Sequence, residues 1–444
     1  MKIKIMLLIC SLLLGCTTND KVLRIRSLKS PTDPSANPSS TYYNKGDIIG
    51  LNALTSNAKN TNIVLVHGMG WTQEQSNKRF GDDLVNAILY EYKGSEKIKD
   101  EECPTSTIDK APTSNSGLII HSLKHNLLST DDPQLSLDPY KLGCLEKTVI
   151  KLRQDKTITI YKFLWDDTMW NYIEWEQIGY DDALPSRTIG YDDPNKLRAK
   201  YNGELKNSIV TYGFTDAAMY MSPAGQALRE GVEASLCIAL SNSYESYKNQ
   251  ANSSEACSKQ PNTKSPLLLV SHSLGSRIIF DTLKTDLSDR LAKQIENGTS
   301  NNTIEIHMLA NQLPLLGIGR MGAKRSENII SGKEVNIIAY SEINDLLTFE
   351  LVPYFEQMCY SRQGCNKKYS NNDPLYKQMQ KNLGFDVVDV RLQFAPNLIK
   401  PYSGFKDPKI AHTGYLMSRS VLDIFFCGAK DGKSNGHNGK CITK

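Results

Sequence analysis

After its first fourteen residues the chain has no long apolar run, and a membrane-spanning helix, which needs ~20 such residues, is not expected in its body. None of its ten cysteines forms a C-x-x-C pair, so the usual thiolate spacing of a zinc site is missing and zinc is not expected. Basic residues form no block, and the formal charge of +4 includes Lys2 and Lys4 at the extreme N-terminus. A nucleic-acid partner therefore has no electrostatic footprint to bind. Histidine is scarce, with seven in 444 residues. That scarcity allows a catalytic base to be sought by elimination.

The stretch from Pro266 to Arg277 reads P-L-L-L-V-S-H-S-L-G-S-R. Its apolar run has strand length and stops at Ser271, while helical spacing (Ile278, Ile279, Leu283, Leu287) begins just after Gly275. The join must be a sharp strand-turn-helix with Ser273 at its apex. A nucleophile held on such a turn needs small neighbours, and the helix that follows presents N–H groups to an anion. The stretch resembles the nucleophile elbow of the α/β-hydrolase superfamily, with Ser271 in place of the usual first glycine. A second point of resemblance is Asn62 to Gly70, N-I-V-L-V-H-G-M-G, a buried strand ending in His-Gly. The resemblance implies that the backbone amides of Met69 and Leu274 form an oxyanion hole.

Further strands are expected at Thr157 to Leu164, Thr303 to Ala310, Val335 to Tyr340 and Phe385 to Phe394. A helix is expected where Phe80, Leu84, Val85, Ile88, Leu89 and Tyr92 share one face. Superfamily topology implies a catalytic acid in the loop after the Val335 strand, which makes Asp345 the candidate and Glu342 its rival, with Asp389 structural. Among the histidines, His67 and His272 belong to the two motifs and His307 lies along a strand. His121 and His125 precede the elbow, and His437 sits in a Gly/Asn-rich tail. His412 remains, and the order Ser273, Asp345, His412 matches the superfamily. The implied fold class is α/β, an α/β-hydrolase fold with a mostly parallel sheet flanked by helices and an inserted helical cap. The implied mechanism uses no cofactor.

At the N-terminus, Lys2 and Lys4 precede an apolar run that closes in Leu13-Leu14-Gly15-Cys16, a pattern that resembles the lipobox of bacterial lipoproteins. The resemblance implies lipidation of Cys16 and a cell-envelope location. Thr17, rather than Asp, would favour the outer membrane of a Gram-negative bacterium. The expected organisation is a signal peptide over 1–15, a tether over 16–46, hydrolase core over 47–164, a cap over 165–261 and the rest of the core over 262–444. Setting aside Cys10 and Cys16 leaves eight of the ten cysteines, an even number in an oxidising compartment. Near neighbours in sequence suggest Cys103 with Cys144, Cys237 with Cys257, Cys359 with Cys365, and Cys427 with Cys441, although the count permits other connectivities.

The cap region opens with Trp165, Trp170 and Trp175, three of the four tryptophans, with Tyr172 among them. Such aromatics can line an acyl pocket, meet a membrane interface or form the cap's own core. The repeated I-G-Y-D-D at Ile178 to Asp182 and Ile189 to Asp193 reads as solvated acidic loops, with calcium binding the lesser alternative and no metal site assigned. A lipid-anchored hydrolase with an aromatic cap implies acyl-ester substrates near a membrane, hence a lipase or phospholipase. A carboxylesterase or thioesterase acting on soluble esters is the nearest alternative. A non-catalytic lipoprotein of the same fold, binding lipid or protein, is the alternative from another class.

Overall fold

The computed structural model describes residues 20–28, 47–68, 81–103, 117–122, 140–165, 215–222, 224–247, 250–284, 288–317, 333–355, 385–398, 406–438 and 440–442. Among the described residues the centre is one sheet of eleven strands: β1 (Lys21–Leu28), β2 (Asn60–Val66), β3 (Glu96–Glu101), β4 (Leu118–Ser122), β5 (Tyr140–Lys151), β6 (Thr157–Leu164), β7 (Gln250–Asn252), β8 (Leu267–His272), β9 (Thr303–Leu309), β10 (Glu334–Glu342) and β11 (Asp386–Gln393). The order is β1-β11-β10-β9-β8-β2-β6-β5-β4-β7, with β3 paired to β5. From β11 through β6 every neighbouring pair is parallel. Parallel strands of this kind are covered on both faces, which explains why β8 reads as an unbroken apolar run. Leu267 and Leu269 point into one core and Leu268 and Val270 into the other.

Helices Ala224–Ser241, Leu274–Lys284 and Asp289–Gly298 cover the first face, and helices Leu51–Ser56, Asp82–Glu91 and Arg419–Cys427 the second. In Asp82–Glu91 the buried positions are Leu84, Val85 and Ile88, and Leu89 and Tyr92 pack partly buried beside them, along the expected stripe; Phe80 lies outside the described residues. The architecture is therefore α/β, with a large, mostly parallel mixed sheet between helical layers.

The expected boundaries need two corrections. Lys21–Leu28, assigned to a tether, is an edge strand that pairs antiparallel with β11. The composition of the Ser/Thr/Asn/Pro-rich stretch hides its alternation, in which Ile25 and Ser27 are buried while Arg24 bonds Glu350 at 2.8 Å and Arg26 faces Asp389 at 3.6 Å. Part of the supposed cap belongs to the body. Helix Ala224–Ser241 packs into the core beneath the sheet, and β7 extends the sheet through β4. Trp165 is likewise buried, at 1% exposure. Residues 166–214, which carry Trp170, Trp175 and both I-G-Y-D-D repeats, lie outside the described residues. The stretch after Glu91, inside the expected first part of the core, holds β3, β4 and β5, an antiparallel extension of the sheet. Its strands escape a period-of-two reading because their buried side chains include charges. Glu146 on β5 pairs with Lys162 on β6 at 2.8 Å, each only 2% exposed, and removing either would strand the other in the interior.

Disulfides join Cys103 to Cys144, Cys237 to Cys257 and Cys427 to Cys441; Cys359 and Cys365 lie outside the described residues. The last bridge ties the C-terminal tail, where Gly436–His437 and Lys440–Cys441 form a small hairpin, back onto helix Arg419–Cys427. No helix among the described residues is long and apolar enough to cross a membrane.

Because β1 covers the β11 edge and supplies Arg26 to the buried Asp389, deleting residues 17–28 is expected to lower the midpoint of thermal unfolding by at least ~5 °C. A mere tether would leave that midpoint unchanged in a calorimetric scan.

Candidate active site

The site forms where the parallel strands end. At the tip of β8 the chain turns through Ser273, a non-glycine residue at φ 53°, and enters helix Leu274–Lys284 at once. This strained conformation is held by its surroundings. The Ser273 N–H donates to the Leu309 carbonyl at 2.9 Å, and Ser276 N–H closes the turn onto Ser273 O at 3.0 Å. Two glycines make room. A Cβ on Gly68 would stand 2.5 Å from the Ser273 Cβ, and one on Gly275 2.4 Å from the Val66 carbonyl oxygen. Ser271 fits where the elbow pattern has glycine because its hydroxyl donates to Ser276 Oγ at 3.2 Å within the buried turn.

His412 comes from the far end of the chain, in helix Pro408–Thr413, whose start is capped by Asp407 accepting from the N–H groups of Lys409 and Ile410. Its Nε2 lies 3.0 Å from Ser273 Oγ, and its Nδ1 lies 2.9 Å from Asp345 Oδ2 and 3.0 Å from Oδ1. A carboxylate can only accept, so Nδ1 carries the proton and the Nε2 lone pair faces the serine hydroxyl. The three residues singled out from the sequence are thus brought together in a Ser–His–Asp relay.

Asp345 sits in the turn after β10, with its side chain only 1% exposed. Besides His412, its carboxylate accepts the Leu347 N–H at 3.0 Å and the Tyr415 hydroxyl at 3.1 Å. Tyr415 is fully buried and also accepts the Glu342 N–H at 2.9 Å. Burial, and then the neighbouring Asp345 charge, hold its phenol well above the ordinary tyrosine range. It therefore stays a neutral donor. In the sequence nothing marks Tyr415 as a donor to an acid 70 residues earlier.

The rival acid has another task. Glu342 accepts the Asn344 side-chain amide at 2.9 Å and the Phe394 N–H at 3.3 Å, stapling the end of β10 to the end of β11. Asp389 accepts the N–H groups of Leu351 and Val352 at 2.7 and 2.8 Å, a structural role as expected.

The motif histidines also acquire roles. His272 Nε2–H donates to the backbone carbonyl of His412 at 2.8 Å. Burial, followed by the proximity of His412, pushes its pKa down to about 3, and the ring remains a neutral prop under its neighbour. His67 accepts the Trp165 N–H on Nε2 at 3.2 Å and stacks on the indole at 4.7 Å, fixing the end of β6 against the loop after β2. Leu274 is fully buried at the first position of the elbow helix, where a backbone amide has no acceptor within its own helix. Met69 and Cys16 lie outside the described residues.

No family model, no curated protein and no solved structure matches this chain.

Tyr415→Phe would remove one donor from Asp345 and leave the buried Glu342 N–H unpaired. Phosphonylation of Ser273 by a fluorophosphonate is expected to slow by ~10-fold, the effect of weakening a hydrogen bond to a charged group. Asp345→Asn should slow it ~10⁴-fold by imposing the wrong tautomer, and Glu342→Gln far less. Equal rates for Tyr415→Phe and wild type would show that the phenol only fills space.

Proposed function

We propose that the chain is a serine hydrolase of α/β-hydrolase type that cleaves carboxylic acyl esters, with lipids or phospholipids as the substrate class. The observation that carries this reading is the relay Ser273 Oγ, His412 Nε2, His412 Nδ1, Asp345 Oδ2, with links of 3.0 and 2.9 Å, on a strand-turn-helix at the carboxyl edge of a parallel sheet. Ser273 attacks the acyl carbonyl carbon while His412 Nε2 takes the hydroxyl proton. Asp345 remains ionised, and its carboxylate stabilises the imidazolium that forms. The tetrahedral oxyanion is held by the Leu274 amide and, by the resemblance, that of Met69; such donors typically contribute ~10²-fold or more each. His412 then protonates the departing alcohol. Water, deprotonated by the same imidazole, releases the acid, so that ester and water become acid and alcohol. Every step uses the chain's own groups.

The lipobox-like run supports a second element of the reading, in which Cys16 is acylated and the enzyme belongs to the cell envelope. Attachment to a bilayer favours lipid substrates over the soluble esters of a carboxylesterase or thioesterase.

A fluorophosphonate probe is expected to label the wild type and not Ser273→Ala or His412→Ala. Hydrolysis of p-nitrophenyl esters and phospholipids should disappear with the label. An unlabelled wild type would leave a non-catalytic binding protein as the better reading. Metabolic incorporation of a fatty-acid analogue is expected in wild type and not in Cys16→Ala, and incorporation into both would refute the anchor.

A further inference from the structure

Large apolar side chains are exposed at only a few places among the described residues, and six of them belong to one region. They are Leu23 at 39% exposure, Ile343 at 46%, Leu346 at 75%, Phe349 at 48%, Leu398 at 55% and Met417 at 57%. The segments that bear them meet where β10 and β11 end. Ile343 N–H donates to the Leu392 carbonyl at 2.9 Å, and Val22, next to Leu23, pairs with the same Leu392. Leu398 follows the loop whose Phe394 amide bonds Glu342. Met417 stands between Tyr415 and Ser418, in the turn after His412. Ile343 and Leu346 flank Asp345 itself. These apolar positions thus lie at the carboxyl edge of the sheet, on the β10–β11–β1 flank of the point where Ser273 and His412 meet.

The N-terminal strand shows what would cover this rim. Because β1 runs antiparallel to β11, with Lys21 opposite Gln393, its first residue lies at the same carboxyl edge. Asp20 is fastened there, accepting the Ser418 hydroxyl at 2.9 Å and the Arg419 N–H at 2.6 Å. Cys16 precedes Asp20 by four residues, and four residues reach at most ~14 Å. An acyl chain on Cys16 would therefore enter a membrane close to the rim. Exposed Lys21 and Lys409 stand beside it, the arrangement of apolar tips and cations that suits a phospholipid interface.

We propose that this rim sits in the bilayer that holds the Cys16 anchor, and that the Ser273–His412 site opens onto that leaflet and draws its acyl ester from it. The inference rests on the anchor and hydrolase readings above. It predicts a fixed orientation, with the carboxyl edge of the sheet down and the opposite edge, where helix Asp82–Glu91 ends, away from the lipid.

Leu346→Trp and Tyr90→Trp place a reporter on each edge, at sites of 75% and 74% exposure. Each lipidated variant is reconstituted in vesicles of phosphatidylethanolamine and phosphatidylglycerol, with or without dibrominated acyl chains, and its emission is compared with that of the parent chain. The emission added by Leu346→Trp is expected to be at least halved by bromolipid, and that added by Tyr90→Trp to be unchanged. Equal quenching of the two, or none at Leu346→Trp because another protein or solvent faces the rim, would overturn the proposal. A wild type that takes no acyl label at Cys16 would defeat the anchor reading and this seating with it. An acylated chain with unquenched Leu346→Trp would defeat the seating alone, and the fluorophosphonate result decides the hydrolase reading separately.

Discussion

The arrangement of the site depends on one buried carboxylate. An ionised Asp345 withdrawn from water is tolerable only if donors replace its hydration. Here His412, Tyr415 and the Leu347 amide supply them. Each donor comes from a different turn of the chain, and the demand of a single charge joins the loop after β10 to the two C-terminal helical segments. The same demand selects the imidazole tautomer and aims its free lone pair at Ser273. Structure and chemistry are thus two consequences of one desolvated charge.

The parallel register supplies the frame. Ser271 lies level with Met308 and His272 with Leu309, while Leu309 in turn lies level with Tyr340 and Glu342 with Leu392. Strands that end together let short loops from distant parts of the chain converge on one edge. The antiparallel β1 uses the same frame in the reverse sense, starting where its neighbours finish. This polarity is what brings the beginning of the described chain to the side of the site.

Much of this could be read from residue order. The central strands announce themselves as continuous apolar runs because both of their faces are buried, and the Pro266 to Arg277 stretch states its turn through the contrast of apolar run, small residues and helical spacing. What escaped reading had mixed faces. β5 buries Glu146 beside Lys147, and β1 alternates arginine with small and apolar residues inside a polar stretch. In both, a partner elsewhere in the chain neutralises a charge that local pattern counts as exposed.

The sequence by itself determined the local events: that the continuous apolar runs become the central strands, that Ser273 sits on a tight turn, and that His412 is left among seven histidines once the motif, strand and tail positions are set aside. Tertiary structure decided between Asp345 and Glu342, which lie three residues apart and carry the same charge. Only the fold sends one carboxylate to His412 and the other to the Phe394 amide. It also made Tyr415 a hydrogen-bond donor to Asp345, and turned Lys21–Leu28 from a tether into the edge of the sheet. The physical reason is the same in each case. A polar group's role is set by the partner it meets once water is excluded, and that partner lies tens to hundreds of residues away.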